Sequence, residues 1–104
     1  MTKTLFTISY SELCQFEGIR REVIVDIVDY GIVAPVEGSE VNKWQFDTNS
    51  VYWIKKAVRL YQDLEIDWLA VAMLIDLLRQ KEALLRENEA CKQQLKRLVE
   101  GGFD

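Results

Sequence analysis

The sequence contains no histidine. That removes the commonest general base and the commonest metal ligand, and with them most hydrolase triads and zinc centres. Cysteine is scarce too. Cys14 and Cys91 lie far apart and lack the paired spacing of a zinc site or a disulfide framework, so both are expected as free, covered thiols. No Gly-rich phosphate loop and no nucleophile elbow occurs. No residue is therefore assigned a catalytic, cofactor or metal-ligating role, and no enzyme is expected. A single proline and five glycines leave no room for a long disordered linker. No apolar run approaches the ~20 residues that span a bilayer, and Met1-Thr2-Lys3-Thr4 leads into strand-like sequence. A cytoplasmic protein without membrane contact is the expectation.

What is present is 104 residues, 49% of them apolar, enough for one domain with its own core and one extension. The net charge of -4 is unevenly placed. Residues 1–40 hold three basic and seven acidic side chains, whereas the remainder balances. The acidic excess is N-terminal.

Thr4-Leu5-Phe6-Thr7-Ile8 alternates polar and apolar residues and predicts a short strand. Ser9 and Glu12 have the spacing of a capping box, and Gly18 is placed to end a two-turn helix whose Tyr10, Leu13 and Cys14 face inward. A second helix is predicted from about Arg20 to Tyr30, closed by Gly31 and barred from extension by Pro35. On it Val23, Ile24, Ile27 and Val28 share one face, and Glu22, Val25, Asp26 and Asp29 share the other. Two short helices joined by a tight Gly-Ile turn form a helix-turn-helix pattern.

Residues 31–36 and 43–46, separated by Glu37-Gly38-Ser39-Glu40, read as a β-hairpin or wing with an acidic tip. Asp47 is a candidate N-cap for a third helix over 48–64. There Val51, Ile54, Val58 and Tyr61 recur at helical spacing, widened by Trp53, Ala57, Leu60 and Leu64, so most of its surface is expected to be covered. Asp67 caps the last helix, carried to about Val99. Its start, residues 68–75, is apolar nearly all round and is expected to be buried. Beyond it a heptad runs, with Leu74, Lys81, Asn88 and Leu95 at a and Ala70, Leu77, Leu84, Cys91 and Leu98 at d. This predicts a homodimer through Leu77, Leu84, Asn88, Cys91, Leu95 and Leu98, with Glu87 at g and Lys92 at e able to pair across a parallel dimer. The spacing leaves parallel and antiparallel pairing open. Folding of the same leucines back onto their own chain is the competing arrangement.

The order strand, helix-turn-helix, wing, helix, long helix resembles the MerR-like winged helix domain, and residues 30–35 resemble its Gly-and-Pro junction. A second resemblance spans nearly the whole chain. Residues 56–68, Lys-Ala-Val-Arg-Leu-Tyr-Gln-Asp-Leu-Glu-Ile-Asp-Trp, followed by an apolar helix start and a Leu-rich tail with Glu87-Asn88, resemble the chaperone modulator CbpM family. Phe6-Thr7-Ile8, Glu12, Gly18-Ile19 and Trp44-Gln45-Phe46-Asp47 match it in the same order. Arg20 and Arg21 depart from it, standing at the start of the second helix where a Ser or Thr cap is expected.

The resemblance implies a mainly α fold: a MerR-like winged helix-turn-helix domain with small β-strands over 1–66, a long heptad helix over 67–100 and a tail at 101–104. It also implies a partner, the J-domain of a CbpA/DnaJ-like co-chaperone, whose stimulation of a DnaK-type chaperone and whose DNA binding would be inhibited. The acidic face around Val25 suits a basic helix of such a partner. Arg59 and Asp63 on the third helix are further candidates for the same site, or a solvated i, i+4 pair. The alternative function is a MerR-like DNA-binding transcriptional regulator. Against it, Glu22, Asp26 and Asp29 on the second helix and Glu37 and Glu40 at the wing tip would repel a polyanion, so no direct nucleic-acid contact is expected.

Overall fold

The computed structural model describes residues 6–101. Two short strands, β1 (Thr7–Ser9) and β2 (Gln45–Asp47), pair antiparallel with Ile8 opposite Phe46. Thr4 and Leu5, read as the beginning of the first strand, lie outside the described residues. Helix α1 (Tyr10–Phe16) begins at the expected capping box: the Glu12 amide donates to Ser9 Oγ at 3.1 Å, and the Ser9 amide donates to Glu12 Oε1 at 2.9 Å. Gly18 then turns the chain with φ +68°, a conformation that an L side chain adopts only with strain.

Helix α2 (Arg21–Asp29) has no side-chain cap, because Arg20 stands where an acceptor side chain is needed. Its C-terminus is closed well. The Gly31 amide donates to the Val28 carbonyl and the Ile32 amide to the Ile27 carbonyl, while Ile27 and Ile32 are both buried. This closure explains a departure from expectation. Ile32 and Val33 go into the core as an irregular segment and do not form a hairpin strand. The wing has only an isolated bridge, Glu37 to Gln45, and β2 takes β1 as its main strand partner. The hairpin expectation is corrected to that extent. Gly38 holds the wing tip with φ +98°, and a Cβ there would collide with the Lys43 carbonyl oxygen.

Helix α3 (Thr48–Leu64) starts where Asp47 Oδ1 accepts from the Ser50 amide at 2.7 Å. It ends at Glu65, whose φ of 52° and ψ of 45° are left-handed. Val51, Trp53, Ile54 and Ala57 are buried, but Leu64 is exposed, so the covered surface is narrower than expected. Helix α4 (Trp68–Gly101) starts with the Ala70 amide donating to Asp67 Oδ1 at 2.9 Å. The corner between the two helices is held by Tyr61 and Trp68, whose rings stack at 4.1 Å and 7°. Further from the corner, the Tyr52 hydroxyl donates to Glu82 Oε2 at 2.9 Å, with Lys56 beside both and Arg79 over the Trp53 ring at 5.1 Å. The Lys56 ammonium is held above its usual pKa, chiefly by the neighbouring Tyr52 phenol.

The core is one cluster in which Leu13, Ile24, Ile27, Phe46, Ile54 and Val71 are fully covered. Each such side chain contributes on the order of 2 kcal/mol by its removal from water. The start of α4 departs from the expectation of burial all round. Trp68, Val71 and Ile75 face the core, whereas Leu69 and Met73 are 60% and 62% exposed. A single chain supplies neighbours on one side of this helix only. From Ala83 through Glu100 every residue is exposed, about 27 Å of helix at ~1.5 Å per residue.

Candidate functional site

The acidic face of α2 lies where the apolar periodicity requires. Ile24 and Ile27 are buried and turn the opposite side outward. Glu22 and Asp29 are exposed; Val25 and Asp26 are half-buried. Among the described residues the ion pairs are Lys55–Glu17 at 3.2 Å and Lys56–Glu82 at 3.8 Å, so none of the three α2 carboxylates is neutralised by a close cation. The wing-tip residues Glu37 and Glu40 are also exposed.

Arg59 and Asp63 lie elsewhere, both exposed on α3, and no ion pair joins them. Together with Ile19 and Val58 they line a cavity of about 340 Å³ between α3 and the turn that links α1 to α2. A smaller cavity of about 220 Å³ shares Ile19, Val58 and Gln62 and adds Arg20 and Val23. The two cavities make one groove, and its α2 wall is the edge of the helix that carries the acidic face. Sequence reasoning placed Arg59 and Asp63 but missed the groove, because Ile19 and Val58 are brought together only by the tertiary fold.

The candidate dimerisation residues form a stripe along α4. Leu77, Leu84, Leu95 and Leu98 are between 60% and 63% exposed, and Asn88 and Cys91 are exposed beside them. Folding back onto the same chain is therefore excluded for these leucines. At 100° per residue Leu69 and Met73 fall on the same side, within a roughly 100° arc opposite Val71 and Ile75. The stripe thus begins on the globular part of the molecule. Cys91 is a free, exposed thiol, contrary to the covered one expected; Cys14 is free and half-buried.

Two comparisons bear on this architecture. The family model for MerR HTH family regulatory proteins matches residues 8–93, from the first strand to well along α4. Chaperone modulatory protein CbpM of Pseudomonas putida is 36% identical over 101 residues, covering 96% of this chain and 99% of that protein. The chain belongs to the CbpM family. The CbpM proteins of Pseudomonas entomophila and Citrobacter koseri are 35% and 32% identical, each covering at least 95% of this chain and 97% of their own length. Membership identifies it with a family of chaperone modulators on a MerR-like, mainly helical fold with a small antiparallel sheet and a long C-terminal helix. These relatives are named as modulators and regulators, not as enzymes. Among the described residues no three His, Cys, Asp or Glu side chains are grouped to hold a metal, and no helix is long and apolar enough to cross a membrane.

Proposed function

We propose that this protein is a cytoplasmic adaptor that binds the J-domain of a CbpA/DnaJ-like co-chaperone and inhibits both its stimulation of a DnaK-type chaperone and its DNA binding. The observation that carries this reading is the unpaired acidic face of α2: Glu22, Asp26 and Asp29 around Val25, with no close cation. A basic helix meeting that face gains association rate from the complementary field, and Val25 offers apolar contact between the charges. Within this reading, residues 1–66 carry recognition, and the helix over 67–100 joins two copies through the apolar stripe as a coiled coil.

The same face argues against the transcription-factor reading, since helix and wing tip both present carboxylates where DNA presents phosphates. Fluorescence anisotropy with random duplex is expected to show no useful affinity at physiological salt. Tight binding with a steep salt slope would restore the DNA-binding alternative. The direct test is calorimetric titration of the cognate J-domain into wild type and into the Asp26→Lys, Asp29→Lys double variant. Binding should weaken most at low salt, where screening is least. Circular dichroism checks that the variant remains folded. A folded variant that binds as tightly as wild type moves the site away from α2.

A further inference from the structure

The groove between the α1–α2 turn and α3 has an apolar floor and an unusual rim. Ile19 is buried at its base, and Val23 and Val58 are half-buried along its sides. Of the charged groups on the rim, Lys55 and Glu17 pair with each other at 3.2 Å and cancel. Arg20 and Arg59 do not pair. Neither takes part in an ion pair or a side-chain hydrogen bond among the described residues; Arg20, at the start of α2, lines the smaller cavity, and Arg59, on α3, lines the larger one that shares its Ile19 and Val58 floor. Asp63 is the acidic group left at the far end, so the rim carries a small positive excess on a chain whose net charge is -4.

Arg20 also breaks the local rule for its position. An N-cap is normally Ser, Thr, Asp or Asn, whose oxygen satisfies a free amide of the first turn; arginine supplies no acceptor, and α2 starts uncapped. A guanidinium there is poorly explained by helix stability, since a cation at a helix N-terminus opposes the dipole. A role facing the groove accounts for it.

We propose that this groove receives a segment of the partner in which an apolar side chain sits beside a carboxylate, the apolar group on Ile19, Val23 and Val58 and the carboxylate between Arg20 and Arg59. Two guanidinium groups offer planar forks that match a carboxylate, and the apolar floor lowers the competing hydration. The inference rests on the reading above that the partner is a J-domain. It gives that partner a second, oppositely charged contact: basic residues on the acidic α2 face, and an acidic residue in the adjoining groove. Recognition of both signs at fixed spacing would let the adaptor discriminate one J-domain from others that share only the basic helix.

The test uses the full-length chain, nitrogen-15 labelled, titrated with the cognate J-domain. Backbone amides of Ile19, Arg20, Val58 and Gln62 should shift on binding. Arg59→Gln and Arg20→Gln should each weaken affinity by about tenfold or more, the loss expected for a charge-assisted hydrogen bond. Arg59→Lys should recover part of it, because the charge returns without the fork. Binding with unmoved groove amides and wild-type affinity in both Gln variants would overturn the groove while leaving the α2 reading in place. Failure of the wild-type chain to bind the J-domain overturns both. Groove amides that shift on simple dilution of the protein would assign the groove to a second copy of the chain and overturn the proposal as well.

Discussion

Phe46 and Leu84 are both large apolar side chains set in regular structure, yet Phe46 is fully buried and Leu84 is 63% exposed. The difference marks two regions. As far as Ile75 the helices find neighbours from elsewhere in the chain: α3 packs on α4, and α2 packs on both. From Ala83 through Glu100 every residue of α4 is exposed. The apolar periodicity is equally regular in both regions. Spacing on a helix fixes which side chains lie together; what lies against them is decided by the tertiary fold, and among the described residues nothing covers this stripe. The exposed Leu69 and Met73 show that this incompleteness begins within the compact region.

The largest effect should come from breaking that stripe. Leu84→Lys with Leu95→Lys places two charges on the surface proposed to join two copies, and sedimentation equilibrium should read a homodimer for wild type and a monomer for the variant. The projecting segment should lose helix content with it, because an isolated helix of this length is marginal in water. A wild-type chain that sediments as a monomer at micromolar concentration would sink the dimer.

Phe46→Ala tests the other side of the comparison. The side chain is fully covered between β1, α3 and the rest of the core, so truncation should cost about 3–5 kcal/mol in urea unfolding. Dimerisation, if it depends on the stripe alone, should survive wherever the variant remains folded. A loss below about 1 kcal/mol would mean that the core is less tightly packed at this point than the burial implies.

Local chemistry was the part of the fold most legible in the sequence. Ser9 with Glu12, Asp47, Asp67 and Gly31 mark helix ends where the structure has them, because each acts through bonds to residues three to five positions away. What depended on distant partners was read less well. Residues 31–36 have strand-like composition, but β2 found its strand partner in β1, far back in the chain, and Ile32 was drawn into the core by the closure of α2. The acidic face of α2 was legible because it is the complement of the apolar one. The groove beside it was not, since Ile19 and Val58 are nearly forty positions apart and neither stands out alone.

The smallest effect concerns two of the left-handed helix ends inside the compact region, those of α2 and α3, which differ in a way that can be measured. α2 ends with glycine in that conformation, Gly31 at φ +75°, and open space surrounds the position where a Cβ would stand. α3 ends with Glu65 at φ 52°, where the Cβ meets the strain that glycine avoids. The Glu65 side chain is exposed and takes part in no hydrogen bond or ion pair among the described residues, so removing it sacrifices no contact. Glu65→Gly should therefore stabilise the protein by about 1 kcal/mol, and Gly31→Ala should destabilise it by a similar amount, through backbone strain alone. Thermal unfolding at fixed protein concentration can resolve both, since a shift of that size moves Tm by several degrees, on the order of 4–8 °C, in a domain of about 100 residues. Concentration must be held constant because a dimer links Tm to it. If Gly31→Ala lowers Tm and Glu65→Gly leaves it unchanged, then the Tyr61–Trp68 stack imposes the corner geometry at no local cost, and the strain assigned to Glu65 is absent.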